Sequence, residues 1–87
     1  MLITRTDLKA MQSHIRIKLF ASLQKFMPQS PENYTIEAGI TVATLLQQLG
    51  IPQDMIKLVF IDSVRADLTS TLKGGERVGI FPPVGGG

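Results

Sequence analysis

The last seven residues of the chain, FPPVGGG, are the part of the sequence best suited to chemistry. Glycine has no Cβ, so Gly85, Gly86 and Gly87 can pass through a slot too narrow for any other side chain. We expect the carboxylate of Gly87, as the end of the chain, to be an unhindered acyl group. Pro82 and Pro83 fix φ and favour an extended course. The segment predicts a stiff stem that delivers this carboxylate into the active site of another protein.

Other kinds of reactive site find little support in the residues. The chain has no cysteine, which rules out disulfides and thiolate metal sites. Its single histidine, His14, has no second histidine with which to form a metal site, and no nucleophile–base pair can be assembled around it. Gly74 and Gly75 are not followed by the Lys-Ser/Thr of a phosphate-binding loop. By elimination, we expect a protein that is not an enzyme on its own and binds no metal or cofactor.

Composition limits the partners. The 87 residues suffice for one domain, and 44% hydrophobic with 18% charged residues is typical of a globular protein. The net charge is +2 and no two Lys or Arg residues are adjacent, which disfavours nucleic acid. The longest aliphatic or aromatic run covers only residues 58–61, far short of the ~20 that span a bilayer. With no secretion signal at the N-terminus, we expect a cytoplasmic protein that binds neither nucleic acid nor membrane.

The elements that must position the tail begin after an unpatterned stretch. We predict a mobile extension over residues 1–13, a folded domain over 14–81 and an extended tail over 82–87. HIRIKLF, residues 14–20, alternates apolar and basic residues, which predicts a strand with one buried face and places Phe20 on the outer face. NYTIEAG, residues 33–39, predicts a second strand paired with the first.

One helix and three further strands complete the predicted domain. Thr41 is a suitable N-cap and Gly50 a suitable C-terminal cap. Between them an apolar stripe repeats with helical spacing: Val42, Leu45, Leu46 and Leu49. Strands are predicted over residues 58–62, 64–68 and 77–81, and Leu72 is predicted to fill the core between them.

The last strand points to an exposed aromatic surface. Val78 and Ile80 lie on one face of RVGIF and Phe81 on the other, together with Gly79. Phe81 and Phe20 are therefore predicted to share one apolar patch on the outer face, of the kind that marks interfaces. The pattern LVFI leaves open whether Phe60 joins them or lies in the core.

LKGGERVGIFPPVGGG, residues 72–87, resembles the C-terminal end of the small subunit of molybdopterin synthase, a ubiquitin-like sulfur carrier of the MoaD/ThiS type. The resemblance extends over residues 14–87 and includes IRIKLFA near the start and the leucine-rich helix. It implies an α+β fold, the ubiquitin-like β-grasp, in which a mixed sheet packs on one main helix.

The resemblance also implies residue roles. Gly87 corresponds to the glycine whose carboxylate is adenylated by a ubiquitin-activating-like adenylyltransferase, which uses ATP, and is then converted to a thiocarboxylate. The tail would enter the large subunit of molybdopterin synthase and donate sulfur to a pterin precursor of the molybdenum or tungsten cofactor. Partner binding falls to the tail, the stem and the aromatic patch: Gly86, Gly85, Val84, Pro83, Pro82, Phe81 and Phe20.

Departures from the family pattern leave other functions open. The turn that is usually acidic reads Lys73-Gly74-Gly75-Glu76 here, and residues 1–13 have no counterpart. A carrier could instead supply sulfur for thiamine thiazole or for a sulfur amino acid. Two further possibilities are a non-covalent interaction module with an idle tail and a ubiquitin-like tag for lysines.

Overall fold

The computed structural model describes residues 12–83, in which a five-stranded mixed sheet packs against one main helix. This is the predicted α+β arrangement. The strands are β1 (Gln12–Leu19), β2 (Tyr34–Glu37), β3 (Ile40–Thr41), β4 (Leu58–Ile61), β5 (Val64–Ala66), β6 (Thr71–Leu72) and β7 (Arg77–Phe81). The helix α1 covers Val42–Leu49, and short 3-10 helices cover Ala21–Phe26, Pro31–Asn33 and Gln53–Met55.

The first and last strands lie side by side in the middle of the sheet. The strand order is β2-β1-β7-β4-β5, in which β1 and β7 are parallel and every other pair is antiparallel. The two short strands β3 and β6 form a separate antiparallel pair that the sequence did not predict. Because β7 is central, its end at Phe81 is held by neighbours on both sides.

Strand β1 begins earlier than predicted. Gln12 pairs with Glu37 and Ser13 with Ile36, so residues 12 and 13 belong to the sheet and not to an extension. The predicted boundary after residue 13 is therefore two residues late. Residues 1–11, the rest of the predicted extension, lie outside the described part of the chain.

The capping residues of α1 are those that the sequence predicts. The Thr41 hydroxyl accepts a hydrogen bond from the Thr44 N–H at 3.2 Å, which satisfies one of the free donors of the first turn. Gly50 ends the helix with φ 77°, a left-handed conformation that glycine adopts without steric cost. The helix therefore has a defined start and a defined end, and its length presents one apolar stripe to the sheet.

The core lies between α1 and the inner face of the sheet. Val42, Leu45 and Leu46 of the helix are fully buried, and Leu49 is partly buried against the same cluster. Leu72 is also fully buried, as predicted, but it reaches the core from strand β6. No polar or charged residue is buried among residues 12–83. Hydrophobic burial alone therefore holds this side of the sheet together.

One turn connects the end of β4 to the start of β7 by a hydrogen bond. Asp62 and Ser63 join β4 to β5 with positive φ values of 51° and 70°, as in the tight hairpin turns that match strand twist. The Asp62 carboxylate accepts the Arg77 N–H at 2.9 Å, which ties this turn to the start of β7. No helix in residues 12–83 has the length and apolar character needed to cross a membrane.

Candidate functional site at the end of β7

The stem leaves the sheet where its backbone can no longer pair. The Phe81 carbonyl accepts the Lys57 N–H at 2.8 Å, so the last residue of β7 is still fixed to the strand beside it. Pro82 and Pro83 have no N–H to donate, which ends the ladder at this point. Pro82 is half-buried and Pro83 is exposed. The chain therefore departs from a rigid anchor at the middle of the sheet.

Phe20 is brought to the same place by the chain reversal after β1. Its N–H donates to the Ile80 carbonyl at 3.2 Å, and its own carbonyl accepts the Leu23 N–H at 3.0 Å. Between these bonds Ala21 takes φ 53°, a conformation that is uncommon for a residue with a side chain. The reversal turns the backbone into the 3-10 helix and leaves the Phe20 ring on the outer face of the sheet, over β7.

Three rings form one cluster on that face, which we call the aromatic surface: Phe20, Phe60 and Phe81. The rings of Phe20 and Phe81 are stacked, with centroids 4.1 Å apart and planes 5° apart. Phe60 meets Phe81 edge-on, at 5.7 Å and 80°. The predicted patch of Phe20 and Phe81 is confirmed, and Phe60, which the sequence left undecided, belongs to it. All three side chains are only partly buried.

Gly79 forms the floor between the rings. It occupies an outward position of β7, with Lys18 of β1 and Phe60 of β4 as its register partners. Its φ is not positive, so the backbone does not require glycine here. A Cβ at this position would lie 3.6 Å from Phe20 Cε2 and 3.9 Å from Phe81 Cε1, which is ordinary contact. The glycine costs stability, roughly 0.5–1 kcal/mol relative to alanine inside a strand.

Gly79 belongs to the lining of a concavity of about 360 Å³ that the aromatic surface borders. Gly79 was predicted to lie on the outer face, but no role was predicted for it. The signal that could have identified it was present: a glycine at an outward position of a β-strand, two residues before a phenylalanine, interrupts a row of side chains for no backbone reason.

Positive charge surrounds the aromatic surface. Lys18 and Arg77 line the concavity, and Arg65 lies across β4 as the register partner of Phe60. Within the five strands as the structure describes them, the one carboxylate is Glu37, on the edge strand β2. The centre of this face is therefore apolar, and the charged residues that line the concavity are the cations Lys18 and Arg77. The nearby Asp62 carboxylate accepts the backbone N–H of Arg77.

The glycine turn before β7 uses its carboxylate internally. Glu76 accepts the backbone N–H groups of Lys73 and Gly74, at 2.8 and 2.7 Å. This turn departs from the acidic family pattern, and its one carboxylate is engaged by the backbone. The turn therefore has fewer carboxylates than the family pattern, and the one that it has, Glu76, is hydrogen-bonded to the backbone.

The remaining predicted site residues divide at Pro83. Phe20 and Phe81 lie together on the outer face, and Pro82 and Pro83 follow Phe81 where the chain leaves β7. Val84, Gly85, Gly86 and Gly87 lie outside the described residues, and the predictions for them stand as made. Among residues 12–83, no group of three or more His, Asp or Glu side chains is arranged to hold a metal ion.

This arrangement is suited to docking. Partly exposed rings around a concavity, rimmed by cations, offer a surface for another protein. The covalent chain runs from this surface directly into the stem. Whatever binds the aromatic surface is therefore placed beside the route of the tail.

The fold is shared with solved structures. A small archaeal modifier protein 1 from Haloferax volcanii is 24% identical, with 83% of this chain and 99% of that chain aligned and a TM-score of 0.61. A protein described as molybdopterin converting factor, subunit 1, from Pyrococcus furiosus is 20% identical, with 83% and 99% aligned and a TM-score of 0.59. A Haloferax volcanii protein known from a solution structure is 20% identical, with 88% and 89% aligned and a TM-score of 0.69.

At these identities the structures establish the β-grasp fold and nothing more specific. No curated protein sequence matches the chain. The sequence model of the ThiS family, however, matches residues 17–87, which run from the end of β1 to the glycine tail. The chain therefore belongs to the ThiS family of ubiquitin-like sulfur carrier proteins.

Proposed function

We propose that this protein carries sulfur for the synthesis of the molybdenum or tungsten cofactor, with Gly87 as its reactive residue. The observation that carries the proposal is the continuity of FPPVGGG with the central strand β7 in a chain of the ThiS family. The stem starts at a fixed residue, Phe81, next to an exposed aromatic surface. A tail of this kind is positioned for a partner that recognises the body and acts on the end.

The chemistry requires activation because a free carboxylate is a poor electrophile. In the first step a carboxylate oxygen of Gly87 attacks the α-phosphorus of ATP, and pyrophosphate leaves. In the second step hydrosulfide from the sulfur donor attacks the acyl carbon, AMP leaves with the oxygen, and loss of the proton on sulfur leaves a thiocarboxylate. The partner enzyme catalyses both steps, and the carrier contributes the acyl group and its position.

The glycines set access to that acyl carbon. Side chains at positions 86 and 87 would stand beside the carbon that the sulfur must attack and would restrict the backbone. We expect Gly86 and Gly85 to run through a narrow channel in the activating enzyme and, later, in the large subunit of molybdopterin synthase. Val84, Pro83 and Pro82 then span the distance from the channel to the body of the carrier.

The motif FPPV followed by glycines, which resembles the small subunit of molybdopterin synthase, supports this choice of pathway. Under this proposal the protein works as the non-catalytic small subunit, with the large subunit transferring its sulfur to the pterin. The alternative is a carrier for thiamine or for a sulfur amino acid, which shares the thiocarboxylate and differs in the acceptor.

The decisive experiment is an intact-mass measurement. The full chain is incubated with the activating enzyme of its source organism, ATP and a sulfur donor. The expected product has one oxygen replaced by one sulfur, and fragmentation places the change at Gly87. A change at another residue, or a mature protein that extends past Gly87 without trimming, would contradict the proposal.

A variant tests the role of the glycines. Gly86→Val is expected to melt like the original chain and to form no thiocarboxylate, while a conservative change in the extension, Thr4→Ser, serves as the matched control. Normal thiocarboxylate formation by Gly86→Val would refute this account of the tail.

The acceptor is identified in a second stage. The thiocarboxylated protein is supplied to a molybdopterin synthase large subunit with the pterin precursor, and in parallel to a thiazole synthase and to a sulfhydrylase. Sulfur transfer in the first reaction supports the proposal, and transfer only in one of the others assigns the alternative pathway. Isopeptide-linked conjugates on lysines, with no transfer in any reaction, would instead indicate a protein tag.

A further inference from the structure

Gly79 lies where folding alone gives no reason for a glycine. The residue is inside the central strand β7, its φ is not positive, and a Cβ would find ordinary contact distances to Phe20 and Phe81. Its neighbours Val78 and Ile80 are fully buried core residues. A strand with this core contribution would be expected to carry a β-branched or aromatic residue at the outward position between them.

The consequence of the glycine is a hole in an otherwise continuous row of side chains. Across the sheet the register runs Lys18, Gly79, Phe60, so the two flanking side chains stand above a bare backbone. Phe20 and Phe81 close the end nearest the stem. The resulting concavity of about 360 Å³ opens to solvent and is apolar in the middle. Its volume is close to the lower limit for small-molecule pockets, about 300 Å³, and it lacks their enclosure.

We propose that this hole, with Gly79 as its floor, receives one apolar side chain of the enzyme that activates Gly87, and that carboxylates surround that side chain on the enzyme. The inference rests on the proposed function, since it assigns a docking point to the same partner. Gly79 is thereby a residue that determines which partner fits, although it lies outside the reactive tail.

The length of the tail limits the occupant to an enzyme that acts on Gly87, and the activating enzyme is the first of these under the proposed function. Six residues separate Phe81 from the end of Gly87, and an extended chain spans at most about 3.3–3.6 Å per residue, so the acyl carbon lies within ~20 Å of Phe81. An enzyme that encloses the acyl group must approach this end of the sheet. The aromatic surface is the exposed apolar feature there, because Phe81 is both part of it and the start of the stem.

The charges define the chemistry of the partner around the inserted side chain. Lys18 and Arg77 line the hole, and no carboxylate belongs to its lining. An interface that covered these cations with neutral or basic groups would desolvate them without compensation. A partner that places Asp or Glu opposite them gains complementary charge, which raises the association rate and excludes basic competitors.

The test measures docking separately from chemistry. Binding of the full chain to the activating enzyme is titrated by calorimetry without ATP, and thiocarboxylate formation is followed with ATP and a sulfur donor. Gly79→Leu fills the hole, and we expect it to weaken binding about tenfold or more, the effect of losing one well-packed apolar contact. It should raise KM for the carrier with kcat unchanged, because docking is equal in the ground and transition states.

A matched variant controls for added apolar bulk on the same face. Thr35→Leu lies at an exposed outward position of the edge strand β2, away from the hole, and is expected to bind like the original chain. Thermal melting of both variants checks the fold. If Gly79→Leu fails to fold, Gly79→Ser replaces it: its short polar side chain enters the hole without filling it and should weaken binding by a smaller factor.

Charge reversal tests the rim. Lys18→Glu and Arg77→Glu are expected to lower the association rate and to reduce its dependence on salt. Lys73→Glu, in the turn before β7 and outside the lining of the hole, should have a smaller effect. If the rim variants bind as well as the original chain, or better, the acidic partner surface is refuted.

The outcomes separate this inference from the function on which it rests. Unaltered binding and KM in a folded Gly79→Leu protein overturns the inference and leaves the sulfur carrier intact, provided that the original chain forms the thiocarboxylate. If the original chain binds the enzyme without forming a thiocarboxylate, the proposed function fails while the docking site stands. If the original chain does neither, both are overturned.

Discussion

The two faces of the sheet differ in what selects their residues. The core contains thirteen buried residues, all of them aliphatic: ten come from the inner face of the sheet and from α1, and the other three are Leu23, Ile51 and Leu72. Three of the four phenylalanines lie on the outer face, where they are only partly buried. A small domain with a thin core would gain from placing its largest apolar side chains inside. Their position outside indicates a surface kept apolar for binding.

The two faces of the sheet also differ in their polar groups. The inner face contains no buried polar residue in the described part of the chain, so its stability depends on packing alone. The outer face combines rings, cations and a bare glycine, which are poor choices for stability and good ones for recognition. Substitutions on the inner face should therefore change folding, and substitutions on the outer face should change binding.

The largest effect is expected in the core. Leu45→Ala removes a fully buried side chain of α1 and leaves a cavity beneath the sheet, which should reduce the free energy of unfolding by about 2–5 kcal/mol. Denaturant titration measures it as a lower midpoint with an unchanged slope.

The control is a truncation on the exposed side of the same helix. Gln47→Ala keeps helix propensity and removes no buried surface, so stability should stay within about 0.5 kcal/mol. Equal losses in Leu45→Ala and Gln47→Ala would mean that the helix does not pack as described and that the contrast between the faces is wrong.

The inner face is also the part that could be predicted from sequence. The alternation in β1 and β7 and the stripe of α1 assigned Ile15, Val78 and Leu45 to the core, and all three are buried. Periodicity works here because each element must bury one face. The pair β3–β6 was missed because each strand has two residues, too few for a period, and its register depends on contacts distant in sequence.

For the outer face, prediction was limited by what periodicity can measure. It assigned Phe20 and Phe81 to the same side of the sheet, which the stacked rings confirm. It could not decide Phe60, because LVFI is apolar throughout and either alternate set could face the core. Periodicity also could not predict the hole at Gly79, because the concavity arises from side chains of three strands.

The second prediction compares glycines that serve the backbone with the one that serves the surface. Gly74 has φ 132°, and a Cβ there would clash with the Oγ of Ser13 and would lie 2.6 Å from its Cβ. Gly74→Ala should therefore lower the free energy of unfolding by about 1–3 kcal/mol through backbone strain alone. The shift of atoms needed to avoid Ser13 lowers it further. Thermal and denaturant unfolding measure the loss.

Two other alanine variants calibrate this result. Gly75 also has a positive φ, 86°, but no atom lies within 4 Å of its Cβ position, so Gly75→Ala should cost less than Gly74→Ala. Gly79→Ala should be neutral or stabilising, by up to about 1 kcal/mol, since neither strain nor clash opposes it. A loss at Gly79 as large as at Gly74 would show that Gly79 is a folding residue.

The smallest effect on stability is expected at Phe20, on the outer face. Phe20→Leu keeps apolar area on the outer face and removes the stack on Phe81, worth about 0.5–1.5 kcal/mol beyond area burial in aromatic pairs. Because both rings are partly exposed, we expect the free energy of unfolding to fall by near 1 kcal/mol or less, clearly below the loss in Leu45→Ala. Binding to the activating enzyme should also be weaker.

Phe26→Leu, in the same 3-10 helix region but outside the aromatic surface, provides the control for aromatic loss alone. If Phe20→Leu unfolded the domain as severely as Leu45→Ala, the ring would belong functionally to the core, and the outer face would lose its strongest mark as a docking surface.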